Sequence, residues 1–333
     1  MADYVLLPHP GHGRIYLSGA FSAAAAELSA LVPEAAVGET VLCGAPAYAL
    51  SLPRPLTEPQ LRALGASSLF YALFQREGAL LLPVEPPEWR AMPDGLNAIL
   101  KYPGKTNERF TRLLVHLAAA AAARLRPVPT LLDPMCGQGT TLFEAAIRGW
   151  NAIGVETLEQ PLHKGRVYFE SYLKTGRYKH RLREEPIVRE GRRLGRFVQA
   201  DYAPTKDAWQ TEDTRFVRFV RGDAAQCGLL LPRGCAELLA CDLPYGVQHG
   251  AAGREGLRRD AASLTAQCAP GWFSVLRPGS GLALAYNCHT TRRDALAQAL
   301  AQAGFAVLPP ISGLAHRVDQ AILRDVIQAQ KPL

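Results

Sequence analysis

The stretch that most constrains this chain is Thr130–Glu156, TLLDPMCGQGTTLFEAAIRGWNAIGVE. TLLD reads as a buried strand, PMCGQGT as a glycine turn, TTLFEAAIRG as an amphipathic helix and NAIGVE as a second strand. Gly137 and Gly139 lack a Cβ, so the backbone there can turn sharply and lie against a ligand. The helix that follows points its unpaired N–H groups back at that ligand. Glu156 ends the second strand 19 residues after Gly137, where a doubly wound α/β fold places the carboxylate that holds a ribose diol. The stretch is therefore read as a nucleoside site.

The loop decides which nucleoside. A dinucleotide fingerprint needs a third glycine, and here Thr140, Thr141 and Leu142 follow Gly139. Asp133 closes the first strand directly before the turn. A carboxylate at that point repels a pyrophosphate but suits a cation, and S-adenosylmethionine carries both an ammonium and a sulfonium. The loop residues expected around that cofactor are Asp133, Pro134, Met135, Cys136, Gly137, Gly139, Thr140 and Thr141, with Glu156 on the ribose. An ordinary strand–helix turn is the plainer alternative, and the acidic residues at both strand ends weigh against it.

A second anchor is Ala236–Gly246, AELLACDLPYG. An apolar strand delivers Asp242 at its end, followed by Leu243, Pro244 and Tyr245. Ligands of open α/β sheets bind outside such strand ends, so Asp242 is expected to face the same crevice as Gly137. A carboxylate acceptor, a backbone carbonyl fixed by proline and an aromatic face can hold a planar exocyclic amine: Asp242 and the Leu243 carbonyl accept its two hydrogens while Tyr245 stacks on the ring. The plainer alternative is a strand ending in a turn.

Together these residues resemble the amino-methyltransferase branch of the class I S-adenosylmethionine-dependent enzymes. DPMCGQGT is similar to that branch's D-P-x-C-G-x-G-T loop, and DLPYG to its [DNS]-[PL]-P-[YF]-G motif. The Leu243 variant with a following glycine resembles the tRNA guanine-N2 methyltransferases. KYPGKTN (Lys101–Asn107) and HRVDQAILRDVI (His316–Ile327) resemble the group that modifies the guanine at tRNA position ten. The resemblance covers about residues 101–327. It implies methyl transfer to a nucleobase amine, with S-adenosyl-L-methionine as cofactor and Asp242, Leu243, Pro244 and Tyr245 as the catalytic residues.

At 333 residues, 48% hydrophobic and 20% charged, the chain can bury one large core or two modest ones. No apolar run is long enough to span a bilayer, and the start MADYVLLPHPG lacks a basic, then apolar leader. A cytoplasmic protein without membrane contact is expected. The seven cysteines are odd in number and none has C-x-x-C spacing, which favours buried thiols over disulfides or a metal site.

Residues 1–95 read as a small α+β domain of ferredoxin type. Its strands are expected at RIYLSGAF, ETVLCG, AYALSL and GALLLPV, and its helices at AAAAELSALV and TEPQLRALGASSLFYALF. It resembles the N-terminal ferredoxin-like domain of the tRNA enzymes, while leaving no room for the RNA-grasping THUMP module that they usually add. Pro-rich 83–95 is the expected linker. Residues 96–333 are the expected methyltransferase domain, with a basic insertion at about 174–215.

Lys101–Asn107 leads into a helix expected over Glu108–Leu125. Thr106 or Asn107 is a candidate helix cap, and in the resembled enzymes this segment also reaches the methionine end of the cofactor. Lys164–Arg196 holds eleven Lys/Arg against four Glu, a surplus equal to the whole chain's +7, with tyrosines interleaved. Such a run is the footprint of a polyanion partner, although a solvated charged face is the commoner meaning. Lys179, Arg181, Arg183, Arg189, Arg192, Arg193 and, after the second motif, Arg254 are the expected nucleic-acid contacts, and Gly191–Gly195 suggests a mobile flap. Two stretches, RFVQAD and RFVRGD, could supply the third strand and its adenine-binding acid. Asp223 is preferred over Asp201 because it leaves room for one short helix before the Asp242 strand. Leu276–Asn287 reads as a helix end, a glycine turn and the fifth strand.

The expected architecture is a seven-stranded Rossmann-like methyltransferase sheet, mostly parallel with an antiparallel final hairpin, plus the small N-terminal domain. The expected function is N-methylation of a nucleobase, with guanine N2 in tRNA foremost. Three rivals stand beside it: DNA adenine-N6 or cytosine-N4 methylation or rRNA methylation, methylation of an amine outside nucleic acids, and a non-catalytic RNA-binding module.

Overall fold

The computed structural model describes residues 2–9, 14–99, 105–244, 260–318 and 320–333, with the backbone alone over 14–22. Contacts divide the chain into two units, Met1–Trp89 with Pro310–Asp325, and Arg90–Pro309 with Val326–Leu333.

The first unit runs β1 (Ala2–Pro8), α1 (Arg14–Leu31), β2 (Ala36–Leu42), β3 (Ala45–Leu52), α2 (Glu58–Gly65), β4 (Phe70–Glu77) and β5 (Leu80–Val84). The strands pair antiparallel in the order β2-β3-β1-β4-β5. Tyr4 and Leu6 of β1 share a core with Tyr48 and Leu50 of β3, Leu28 of α1 and Leu64 of α2. Three local expectations differ. RIYLSGAF is the first half of α1, because the alanine-rich run after it carries one continuous 18-residue helix back through it. The FYALF segment is β4, since α2 ends at Gly65 and the aromatic, pleat-favouring residues then pair with β1 through Val5↔Phe74. ADYVLLP, not singled out in the sequence, is the central strand β1.

The second unit opens with α3 (Gly95–Ala98), α4 (Glu108–Ala121), β6 (Thr130–Asp133), α5 (Thr140–Ile147), β7 (Asn151–Glu156) and α6 (Glu159–Thr175). Next come β8 (His180–Arg189), β9 (Arg192–Tyr202), α7 (Lys206–Gln210), β10 (Arg215–Arg221) and α8 (Cys227–Leu230). They are followed by β11 (Ala236–Asp242), α9 (Ala261–Val275), β12 (Leu276–Asn287), α10 (Arg293–Gln302) and β13 (Ala306–Val307). Near the end of the chain lie β14 (His316–Arg317), within the first unit, and β15 (Leu323–Gln330).

The sheet order is β13-β15-β12-β11-β6-β7-β10-β9-β8. From β12 to β10 every neighbouring pair is parallel, whereas β13 pairs antiparallel with β15, and β9 with both β10 and β8. The architecture is α/β with a mixed sheet. Central strands such as TLLD and AELLAC are buried on both faces, as parallel strands covered by helices must be. The chain leaves β6 toward β7 on one side and returns to β11 on the other, so the switch point of the sheet lies between β6 and β11. The register Leu132↔Leu239 brings Asp133 and Asp242 to the same edge of that crevice.

The basic insertion differs from the expected flap. Its residues form a β-hairpin, β8 and β9, turned at Glu190 and Gly191 (φ 49° and 76°), and β9 joins the sheet by pairing with β10 from Arg196 to Tyr202. Leu276–Asn287 is strand throughout, with an irregularity in its pairing to β11 that absorbs the Pro278–Gly279 turn.

Candidate active site

Asp133 ends β6 nearly out of solvent, 3% exposed. Its Oδ1 accepts the Met135 N–H at 3.0 Å, and the Thr141 side chain adds a hydrogen bond. Burial pushes this carboxyl up to about 7, the nearby charges of Glu156 and Asp242 add to that, and the bonds from Met135 and Thr141 oppose it. Three carboxylates on three strands thus act on one point.

The loop between them is built by backbone. Gly137 (φ 53°) and Gly139 (φ 95°) occupy the left-handed region, and a Cβ on Gly137 would project into open space. The Gly137 N–H donates to Glu156 Oε2 at 3.0 Å, and the Leu158 N–H to Glu156 Oε1 at 2.8 Å. Glu156 is thereby fixed at both oxygens, each keeping a further lone pair for a hydroxyl. The Cys136 N–H reaches the Val155 carbonyl at 3.0 Å, which ties the loop to β7. Gly139 then caps α5, with Thr140 and Thr141 as its first residues.

The loop has a floor that the sequence reading missed. Gly165 of α6 lies directly beneath Gln138: a Cβ there would stand 2.2 Å from the Gln138 carbonyl oxygen. Only glycine lets α6 approach this closely. The signal was a glycine inside an otherwise good helix, which costs about 1 kcal/mol against alanine and so needs a packing reason.

Asp223 follows β10, whose Arg221 is in parallel register with Glu156. The Asp223 Oδ1 accepts the Ala225 N–H at 2.9 Å and caps the 3-10 turn Ala224–Gln226. Asp201, the other candidate, lies inside β9 and pairs with Arg183 at 3.1 Å and Arg181 at 3.7 Å.

At the end of β11, Asp242 Oδ2 accepts the Thr106 hydroxyl at 2.8 Å across 136 residues of chain. Asn107 is the helix cap, its Oδ1 accepting the N–H groups of Arg109 and Phe110 at 2.9 and 3.2 Å. Asn107 is therefore the cap, and Thr106 is instead turned to Asp242. The Leu243 N–H extends the ladder to the Ala285 carbonyl at 3.0 Å; Leu243 is buried and Pro244 exposed. Tyr245 and Arg254 lie outside the described residues.

The basic residues are not equivalent. Arg181 and Arg183 are committed to Asp201, and Arg189 donates to the Leu229 carbonyl at 3.3 Å. Arg192 and Arg193, beside the hairpin turn, are exposed and form no ion pair among the described residues; Lys179 is exposed as well.

The convergence of Asp133, Glu156 and Asp242 fits S-adenosylmethionine. One carboxylate is buried, a second is held at both oxygens by backbone N–H groups, and the space a Cβ would take at Gly137 between them is open. Fold and site together define a class I S-adenosylmethionine-dependent methyltransferase. Residues 100–306, well over half of the chain, match the UPF0020 model, RMKL-like, methyltransferase domain, and the chain belongs to that family. Its structure is similar to that of TrmN from Thermus thermophilus, at 17% identity over 99% of this chain and 100% of that one, with a TM-score of 0.47. It is also similar to a TehB-like methyltransferase from Corynebacterium glutamicum (12% identity, 66% and 86% covered, TM-score 0.38). A third similar structure is a methyltransferase from Methanosarcina mazei (15% identity, 63% and 95% covered, TM-score 0.36). Among the described residues no helix is long and apolar enough to cross a membrane.

Proposed function

We propose that this enzyme methylates an exocyclic amine of a nucleobase in RNA, most directly the 2-amino group of guanine in tRNA. The observation that carries the reading is Asp242 at the switch point, oriented by the Thr106 hydroxyl and followed by Leu243 and Pro244. When bound, the cofactor supplies an electrophilic methyl group on a sulfonium. Asp133 neutralises the amino-acid ammonium, Glu156 binds the ribose hydroxyls, and Asp223 is the acid for the adenine amine. Asp242 and the Leu243 carbonyl accept the two hydrogens of the target amine, which aims its nitrogen lone pair along the line of displacement. Tyr245 stacks on the base, which must leave its helix to arrive there. After transfer the nitrogen carries a positive charge and an extra proton, which passes to Asp242 or to water, so Asp242 need not be a strong base.

The finer fold assignments belong to the same proposal. The order β10-β7-β6-β11-β12-β15-β13 supports a seven-stranded methyltransferase sheet extended by the hairpin, and β1-α1-β2-β3-α2-β4 supports a ferredoxin-like N-terminal unit. Cytoplasmic location and tRNA as partner follow from the substrate.

The test is methyl transfer from labelled cofactor to total tRNA, rRNA and DNA, followed by nucleoside identification. N2-methylguanosine in tRNA is the expected product. Label found only in N6-methyladenine or N4-methylcytosine of DNA, or in no nucleic acid, would overturn the proposal.

A further inference from the structure

The second half of α6 carries a feature that methyl transfer does not use. Tyr168, Tyr172 and Tyr178, with Pro93 and Ile99 opposite, line an open groove of about 420 Å³, within the usual size range for a small-ligand site. The rings are set, not loose. The Tyr168 hydroxyl donates to the Leu96 carbonyl at 2.8 Å, Tyr168 packs on Phe143, and Tyr172 and Tyr178 lie nearly parallel with centroids 6.4 Å apart. Ile99 is 66% exposed, high for an isoleucine. Arg177 and Lys179, the chain neighbours of the groove residues Gly176 and Tyr178, are both exposed, and neither forms an ion pair among the described residues.

Tyrosine faces beside unpaired cations match an unpaired nucleotide: the rings stack the base and the cations meet its phosphates. An apolar small molecule would leave Arg177 and Lys179 without a role. We propose that this groove is a second RNA contact, which stacks an unpaired base of the substrate outside the active site; the proposal rests on the RNA reading above. Its place on the helix sets the distance. Tyr172 follows Glu159 by 13 residues, which at about 1.5 Å per residue is about 20 Å down α6 from the cofactor end. That is several nucleotide steps, about six at the roughly 3.4 Å rise of a stacked strand and fewer if the strand is extended, so the stacked base is not the one being methylated but another part of the same RNA.

The test pairs Tyr172→Ala/Tyr178→Ala with Tyr172→Phe/Tyr178→Phe on an unmodified tRNA transcript. The alanine pair should raise the RNA Kd and KM by about 5- to 100-fold, leave kcat at saturating RNA near wild type, and leave S-adenosylhomocysteine binding by calorimetry unchanged. The phenylalanine pair should retain wild-type RNA affinity, because the ring faces remain. A transcript substituted with 4-thiouridine should crosslink to the peptide that contains Tyr172 and Tyr178. Wild-type protein that methylates tRNA, with KM and crosslinks indifferent to the alanine pair, would overturn this proposal alone. Wild-type protein with no RNA affinity would overturn it together with the RNA reading. A dimer in sedimentation that dissolves in the alanine pair, at unchanged RNA affinity, would assign the groove to a second copy and overturn it as well.

Discussion

The cofactor end of the sheet and the β8–β9 hairpin at its edge handle charge in opposite ways. At the cofactor end, carboxyl groups are gathered and fixed in place: Asp133 is buried, Glu156 is held by two N–H groups, and Asp242 by a hydroxyl. On the hairpin, positive charge is spread over exposed arginines, several already matched, as Arg183 is with Asp201 and Arg196 with Glu184 and Glu159. Charges out of water shape a site for one ligand, whereas exposed pairs are worth about 0–1 kcal/mol and are screened by salt. The first region should therefore respond sharply to single substitutions, and the second should respond to ionic strength.

The largest effect is expected at Asp242. Asp242→Ala removes the acceptor that orients the amine, and kcat should fall by about 10²–10³ while calorimetric S-adenosylhomocysteine affinity stays within a few-fold. An enzyme that kept its turnover would remove Asp242 from the chemistry. Next comes Gly165→Ala. The added methyl meets the Gln138 backbone rather than a yielding side chain, so the loop must shift. Stability should fall by about 1–3 kcal/mol, the usual cost of overpacking, and cofactor affinity should drop as the loop moves. Unchanged affinity would show that loop and helix are not coupled.

Asp133 sharpens the comparison through pH. In the cofactor-free protein its carboxyl titrates near 7 instead of its ordinary 3.8. The folded protein therefore keeps a proton that the unfolded chain has released, and Asp133's contribution to stability is full below about 3.8 and lost as pH rises through 7. A ligand ammonium prefers the ionised carboxylate, so binding has the opposite sign. S-adenosylhomocysteine affinity should rise by up to about tenfold per pH unit toward pH 7 and level off above it. Titrations in Asp133→Asn should lose that slope. A wild-type profile that was flat from about pH 5.5 to 8 would place no titrating carboxylate at the ligand.

Much of the cofactor end was legible in the sequence, because it is local. Asp133, Gly137 and Glu156 fall within one strand–turn–helix–strand unit, where spacing sets position. Asp223 could be preferred to Asp201 on loop length alone, and of the two strands it is β10, before Asp223, that pairs parallel with β7. What spacing did not reveal are contacts between distant segments: the Thr106–Asp242 bond, and the approach of Gly165 to Gln138. The first unit was harder to read. RIYLSGAF has the composition of a strand and folds as helix, and FYALF does the reverse, because neighbours and not intrinsic preference decide such short apolar runs. The stretch was recognised as basic, but the hairpin was hidden, since β8 exposes most of its residues and lacks the alternation that marks a half-buried strand.

The smallest effects are expected on the hairpin, and they divide its arginines. Each phosphate contacted releases counterions, so log affinity for nucleic acid should fall with log salt by about 0.7–0.9 per contact. Arg192 and Arg193 are exposed with no ion pair among the described residues, and Arg192→Ala/Arg193→Ala should flatten that slope by up to about 1.8. Arg181 and Arg183 already face Asp201. Arg181→Ala/Arg183→Ala removes cations that are partly neutralised and should change the slope by less than half as much. S-adenosylhomocysteine affinity should be the same in both, since Glu156 and the glycine loop are untouched. Equal slopes in wild type and both variants would mean that the hairpin is a solvated edge and would move RNA contact to other surfaces. Equal losses in the two variants would mean that Asp201 releases its arginines when RNA binds, and Asp201→Asn would then strengthen binding rather than leave it unchanged.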